Sequence, residues 1–111
     1  MSGKQLGPEM VREVAGRFKV LAEPARLNVL NELRGGARSV SDLIEVTGLS
    51  QANLSKHLQL LHAHGFVARH RQGLFTMYRL ADRSVFQLCD IMCGQLRRRA
   101  DEQVSRLRAV K

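Results

Sequence analysis

From Val46 to Ala81 the chain has no aspartate and no glutamate, while the same 36 residues hold all four histidines (His57, His62, His64 and His70) together with Lys56, Arg69, Arg71 and Arg79. Acidic residues return on both sides, so the bias is local and not a general basicity. A surface pressed against a polyanion needs such a stretch, because every carboxylate in it would repel phosphate. A different chemistry sits further on, at Cys89-Asp90-Ile91-Met92-Cys93. Cysteines four apart share one face of a helix, with Cβ atoms ~5–6 Å apart. A disulfide prefers ~3.5–4.5 Å, so a bridge within one helix would be strained. Two-fold pairing of such helices would instead gather four thiols, able to bind a soft ion, react with a persulfide or oxidant, or cross-link subunits. The competing expectation is that Cys89 packs in an apolar stripe as a small hydrophobe.

The histidines do not suggest a metal site. His62 and His64 are two apart on a helix and cannot share a ligand face, and His57 lies at the edge of an apolar seam, where it holds the helix or touches a phosphate. No nucleophile–base pair, phosphate-cradling Gly loop or paired carboxylates argue for an enzyme. A C-x-x-x-C pair outside any βαβ pattern is a weak basis for a thiol oxidoreductase.

These side chains need elements to position them, and five helices with a hairpin are expected. Pro8 suits a helix first turn, with Met10, Val14, Phe18 and Leu21 following at helical spacing. Pro24 opens a second helix with Leu27, Leu30 and Leu33 inside, ended by Gly35-Gly36. Ser39 and Asp42 form an S-x-x-D capping pattern for a third helix that Gly48 stops. Ser50 caps a fourth, reaching about His64 with Leu54, Leu58 and Leu61 on one seam. Phe66–Arg71 and Leu74–Leu80, joined at Gln72-Gly73, read as a hairpin. Asp82 or Ser84 can cap a last helix with Val85, Cys89, Met92, Leu96 and Leu107 on one stripe; the charges from Arg97 to Arg99 onward suggest a solvated or frayed end.

A short helix, a Gly-containing turn and a second helix match a helix-turn-helix. At 100° per residue Ala52, Lys56, Gln59 and Ala63 point away from the leucine seam, with Asn53 and Ser55 beside them. Small residues next to amides and a cation let such a helix lie deep in a major groove, with Ser50 and Gln51 at its start placed for phosphate or base edges. Arg69, His70, Arg71 and Gln72 are expected at the tip of the hairpin wing, following phosphates or entering the minor groove. The expected DNA contacts are therefore Ser50, Gln51, Asn53, Ser55, Lys56 and His57 on the helix, and Arg69 and Arg71 on the wing.

The run Leu49-Ser50-Gln51-Ala52-Asn53-Leu54-Ser55-Lys56-His57-Leu58, continuing Leu60-Leu61 and Gly65-Phe66-Val67, resembles the recognition helix of the ArsR/SmtB family of dimeric winged-helix repressors. Leu21-Ala22-Glu23-Pro24-Ala25-Arg26-Leu27 resembles the opening of that family's second helix, and Gln72-Gly73 with Tyr78-Arg79-Leu80 resembles its wing. The resemblance covers about residues 10 to 96. It implies a mainly α winged helix-turn-helix, a homodimer joined through the first and last helices, and a palindromic DNA operator released when an inducer arrives. The family's Cys-x-Cys-Asp box corresponds here to Ser39-Val40-Ser41-Asp42, and hydroxyls are poor ligands for soft ions. The zinc-sensing variant needs histidines on the last helix, and none lies beyond His70. No cofactor is certain; Cys89 and Cys93 remain as the candidate site for As(III) or another thiophilic ion.

At 111 residues, 44% apolar and 25% charged, the chain fits one soluble globular domain, for which a second copy would usefully enlarge the core. Residues 1–7 are expected to be flexible and 8–108 to form the DNA-binding and dimerisation domain. The formal charge is +8, and 14 of 18 cations are Arg, suited to bidentate contact with phosphate and guanine. No membrane span or secretion signal is legible, so a cytoplasmic location is expected. The alternatives are a winged-helix module that binds another protein, and a regulator whose cysteines only pack.

Overall fold

The computed structural model describes residues 4–109, so the first three residues of the expected flexible 1–7 segment lie outside the described residues. The chain forms two compact units, one ending at Ala81 and one beginning at Asp82. The first contains α1 (Pro8–Leu21), α2 (Pro24–Glu32), β1 (Arg38–Ser39), α3 (Val40–Thr47), α4 (Gln51–Ala63), β2 (Val67–Gln72) and β3 (Phe75–Leu80).

Helix boundaries follow local chemistry. Pro8 stands at the start of α1, where its missing N–H costs nothing, and Val11 N donates to Gly7 O at 2.9 Å. The Ser39 hydroxyl accepts from Asp42 N at 3.0 Å, and the Ser50 hydroxyl from Asn53 N at 3.2 Å, so both expected caps form. Between α3 and α4 the chain reverses through Gly48 at φ +71°, a backbone state that side chains resist. At the far end of α4, Gly65 N donates to His62 O and Phe66 N to Leu61 O, the paired bonds of a Schellman motif around a left-handed glycine.

The core of this unit is built from Val29, Leu30 and Leu33, Leu43 of α3, Leu54, Leu58 and Leu61 of α4, and Phe66, Val67 and Tyr78. Two details depart from the expected second helix. It stops at Glu32, with Leu33 as its cap, before reaching Gly35-Gly36. Its buried face is Val29, Leu30 and Leu33, with Leu27 turned outward. Positions 29, 30 and 33 continue one helical face from Arg26, whereas Leu27 stands ~100° round from it.

The sheet has the order β1-β3-β2, antiparallel throughout. Its third strand was not expected: Arg38 and Ser39 pair with Tyr78 and Met77, a two-residue bridge too short to leave a periodic signal. The hairpin turn also lies one residue further on than expected. Gln72 pairs with Phe75, leaving Gly73 and Leu74 as the two-residue loop. Gly73 has φ +62° and Leu74 does not have a positive φ, the pattern of a II′ turn with glycine first.

The second unit is α5, Val85–Ala109, preceded by Asp82, whose Oδ1 accepts from Ser84 N at 2.9 Å. The helix is solvated beyond Arg97 as expected but does not fray there; it continues to Ala109. Asp101 and Glu102 stand four residues after Arg97 and Arg98, and Glu102 four before Arg106, spacing that supports a solvated helix. No helix among the described residues is long and apolar enough to cross a membrane.

Candidate nucleic-acid interface

α4 carries most of the expected contacts. Its leucine seam faces inward, which leaves Gln51, Asn53 and Lys56 exposed and Ser55 half-buried. Ser50 serves as the helix cap, so its hydroxyl already has a partner in Asn53 N, while the residue itself stays exposed.

His57 is half-buried and turned toward the scaffold. Its Nδ1 lies 3.2 Å from Arg26 Nη1, and because a guanidinium can only donate, Nδ1 is the acceptor. Arg26 Nε donates at 2.6 Å to Val20 O at the end of α1. One side chain from α2 thus ties α1 to α4 and fixes the helix that presents Gln51 and Lys56. A second tie closes the other end of α4: Arg17 Nη1 donates to His64 O at 2.7 Å, and the guanidinium lies 4.3 Å from the centre of the Phe66 ring. Neither arginine was among the expected site residues. Their partners are 31 and 47 residues away, and no local pattern announces such contacts.

On the wing, strand alternation sorts the cations. Arg69 opposes Tyr78 and Arg71 opposes Thr76, so both arginines share the face on which Tyr78 is buried. His70 and Arg79 occupy the other face, with Nη1 of Arg79 3.1 Å from His70 Nδ1. A cleft of about 760 Å³ separates the wing from the helix-turn-helix, with Gln51 and Ser55 on its helical wall and Arg69 and Arg71 on its wing wall. Four expected residues from two distant segments therefore line one opening. Lys56 and Asn53 are exposed on the same helix but do not line it. The expected tip cluster is displaced: Arg69 to Gln72 flank the wing within β2, and the tip is Gly73-Leu74.

Charge follows the same division. Lys56, Arg69 and Arg71 are exposed in the carboxylate-free window. Arg38, outside it, is already engaged by Glu32, donating to its carbonyl at 2.9 Å and lying 3.5 Å from its carboxylate.

The thiols lie on α5, Cys89 half-buried and Cys93 exposed, both free. Among the described residues no three or more His, Cys, Asp or Glu side chains gather into a set that could hold a metal ion.

Residues 23–69 match the family described as bacterial regulatory protein, arsR family. The chain is 38% identical over 85 residues to the HTH-type transcriptional regulator NmtR of Mycobacterium tuberculosis, spanning 77% of this chain and 71% of that one. Its structure is similar to the crystal structure of M. tuberculosis Rv0081, with a TM-score of 0.76 and 32% identity over 89% of this chain and 99% of the other. It is also similar to the solution structure of a homodimeric winged helix-turn-helix DNA-binding domain, Mb0332 of Mycobacterium bovis, with a TM-score of 0.71 and 30% identity, covering 86% of this chain and 90% of that domain.

Proposed function

The chain belongs to the arsR family of bacterial regulatory proteins, and from that premise we propose that two copies, paired through their first and last helices, bind a palindromic operator and repress transcription until an inducer arrives. The observation that carries this reading is the cleft in which Gln51 and Ser55 of α4 face Arg69 and Arg71 of the wing. A helix offering amides and small residues suits a major groove, and arginines beside it suit the flanking phosphates. A two-fold pair would present this face twice, to half-sites about one helical turn, ~34–36 Å, apart. Residues 8–108 carry both tasks, in the cytoplasm, and the protein acts by binding and not by catalysis.

Selection of duplexes from a random pool tests the reading. The wild-type protein is expected to enrich a palindrome. Gln51→Ala and Asn53→Ala are expected to relax preference at particular base pairs in each half-site, by ~1–3 kcal/mol per position. Retention of the wild-type preference by both variants would remove Gln51 and Asn53 from the reading face.

The inducer site rests on Cys89 and Cys93. Both thiols are free and one helical turn apart, with Cys93 open to reagents. Four thiols from a symmetric pair form a donor set for a thiophilic ion such as As(III). Addition of As(III) is expected to release operator from the wild-type protein and to leave it bound to Cys89→Ser and Cys93→Ser variants, as read by fluorescence anisotropy. Equal release from all three would reduce the cysteines to packing.

A further inference from the structure

The wing ends on a residue that its own fold does not explain. Two-residue hairpin loops favour Gly, Asn, Asp or Ser, which supply positive φ or local hydrogen bonds. Here Gly73 meets the backbone requirement, and the second position is a leucine that is 90% exposed, followed by Phe75 at 57%. Leu74 lies outside the buried core, so its side chain is available to a partner.

The surroundings select that partner. Arg71 stands two residues before the Gly73-Leu74 loop with Arg69 further down the same face, Arg79 lies at the base of the hairpin opposite Ala68, and no carboxylate occurs between Val46 and Ala81. An apolar protein patch gains nothing from an arginine beside the leucine and a hairpin free of carboxylates, whereas a groove walled by phosphates does. Shape agrees. Two paired strands are ~4.8 Å apart before side chains are added, and the minor groove is ~6 Å wide, so the body of a hairpin is too broad to enter. A single side chain at the tip is not.

We propose that Leu74 enters the minor groove of the operator as an apolar wedge between two stacked base pairs, with Arg71 holding the adjacent phosphate. The inference rests on the operator-binding reading above and adds a contact made with neither α4 nor a charge. Apolar wedges partly unstack the step they enter and bend the duplex, most cheaply at TA or CA/TG steps. The wing thereby selects for a deformable step at a fixed distance from the bases read by α4. No base-edge hydrogen bond is involved.

The test uses the full chain and a duplex enriched by the wild-type protein from a random pool, with 2-aminopurine substituted in turn at each position beneath the wing. Wild-type protein is expected to raise the fluorescence at one step in each half-site. Leu74→Ala is expected to abolish that rise and weaken binding roughly tenfold, with an unchanged slope of log K against log salt because no phosphate contact is lost. Leu74→Met, long and apolar, is expected to keep both the rise and the affinity. A Leu74→Ala variant that binds within twofold of wild type, or a wild-type complex with no fluorescence change at any step, overturns the wedge and leaves the tip to a protein partner. Failure of the wild-type protein to enrich any duplex is a distinct result, which removes the operator-binding reading and the wedge with it.

Discussion

Operator affinity is expected to fall about a thousand-fold or more when salt rises from about 50 to 200 mM, because a pair of subunits neutralising ~6–10 phosphates releases a comparable number of condensed counterions. The exposed cations of the window, Lys56, Arg69 and Arg71, are the residues expected to carry that dependence. Each occurs twice in a symmetric pair, so replacing one by Ala removes two contacts. The slope of log K against log salt should then become shallower by ~1.8, at about 0.9 per contact. Arg79→Ala offers a comparison within the same hairpin. Its guanidinium lies beside His70 on the face away from Arg69 and Arg71, and its removal should change the slope less. Anisotropy titrations at several salt concentrations give all four slopes. Slopes that stay at the wild-type value for Lys56→Ala, Arg69→Ala and Arg71→Ala would mean that the carboxylate-free face does not meet the phosphates.

What could be read from the sequence follows the range of the interactions concerned. Ser39, Gly48, Ser50 and Gly65 act on bonds within a few residues of themselves, and their caps and turns could be placed from local chemistry. The seam of Leu54, Leu58 and Leu61 was legible for the same reason, since helical periodicity is local. The hairpin was legible as an element but not in its register. Both Gln72-Gly73 and Gly73-Leu74 put glycine in a two-residue loop, and only the cross-strand partner, Phe75 opposite Gln72, decides between them. That one-residue offset moved the wing tip from a basic cluster to Leu74. The strand at Arg38–Ser39 depends on partners 38 to 40 residues away, and the ties from Arg17 and Arg26 to α4 on partners 47 and 31 residues away. Such contacts depend on how elements pack, and no spacing rule reaches them. The cleft combines the two cases: each wall was visible as a separate motif, but their facing required the folded unit.

Leu96→Glu is expected to convert the protein to a folded monomer and to reduce operator affinity by about a thousand-fold. In α5 Met92 is 61%, Leu96 67% and Leu107 69% exposed, an apolar stripe too long to be left in water without a partner. In a two-fold pair every such residue is buried twice. At ~2 kcal/mol for each leucine side chain, losing both copies of Leu96 alone removes ~4 kcal/mol, about a thousand-fold in the dimer constant. A carboxylate buried in its place adds a further penalty of several kcal/mol, roughly. A lone subunit reaches one half-site and makes half of the phosphate contacts, so the salt slope should also fall to about half. The subunit itself should stay folded. Leu96 is not part of the core built on Leu43, Leu54 and Leu58, and the urea midpoint measured at monomer-level concentration should not move. Ser105→Glu is the matched control: it adds the same charge to α5, ~180° round from Leu96, and should leave mass and affinity as they are. Sedimentation equilibrium and the anisotropy titration together decide the matter. A Leu96→Glu protein that sediments as a pair would move the subunit contact off this stripe, and one that sediments as a monomer yet binds the full operator at wild-type affinity would remove the need for a pair.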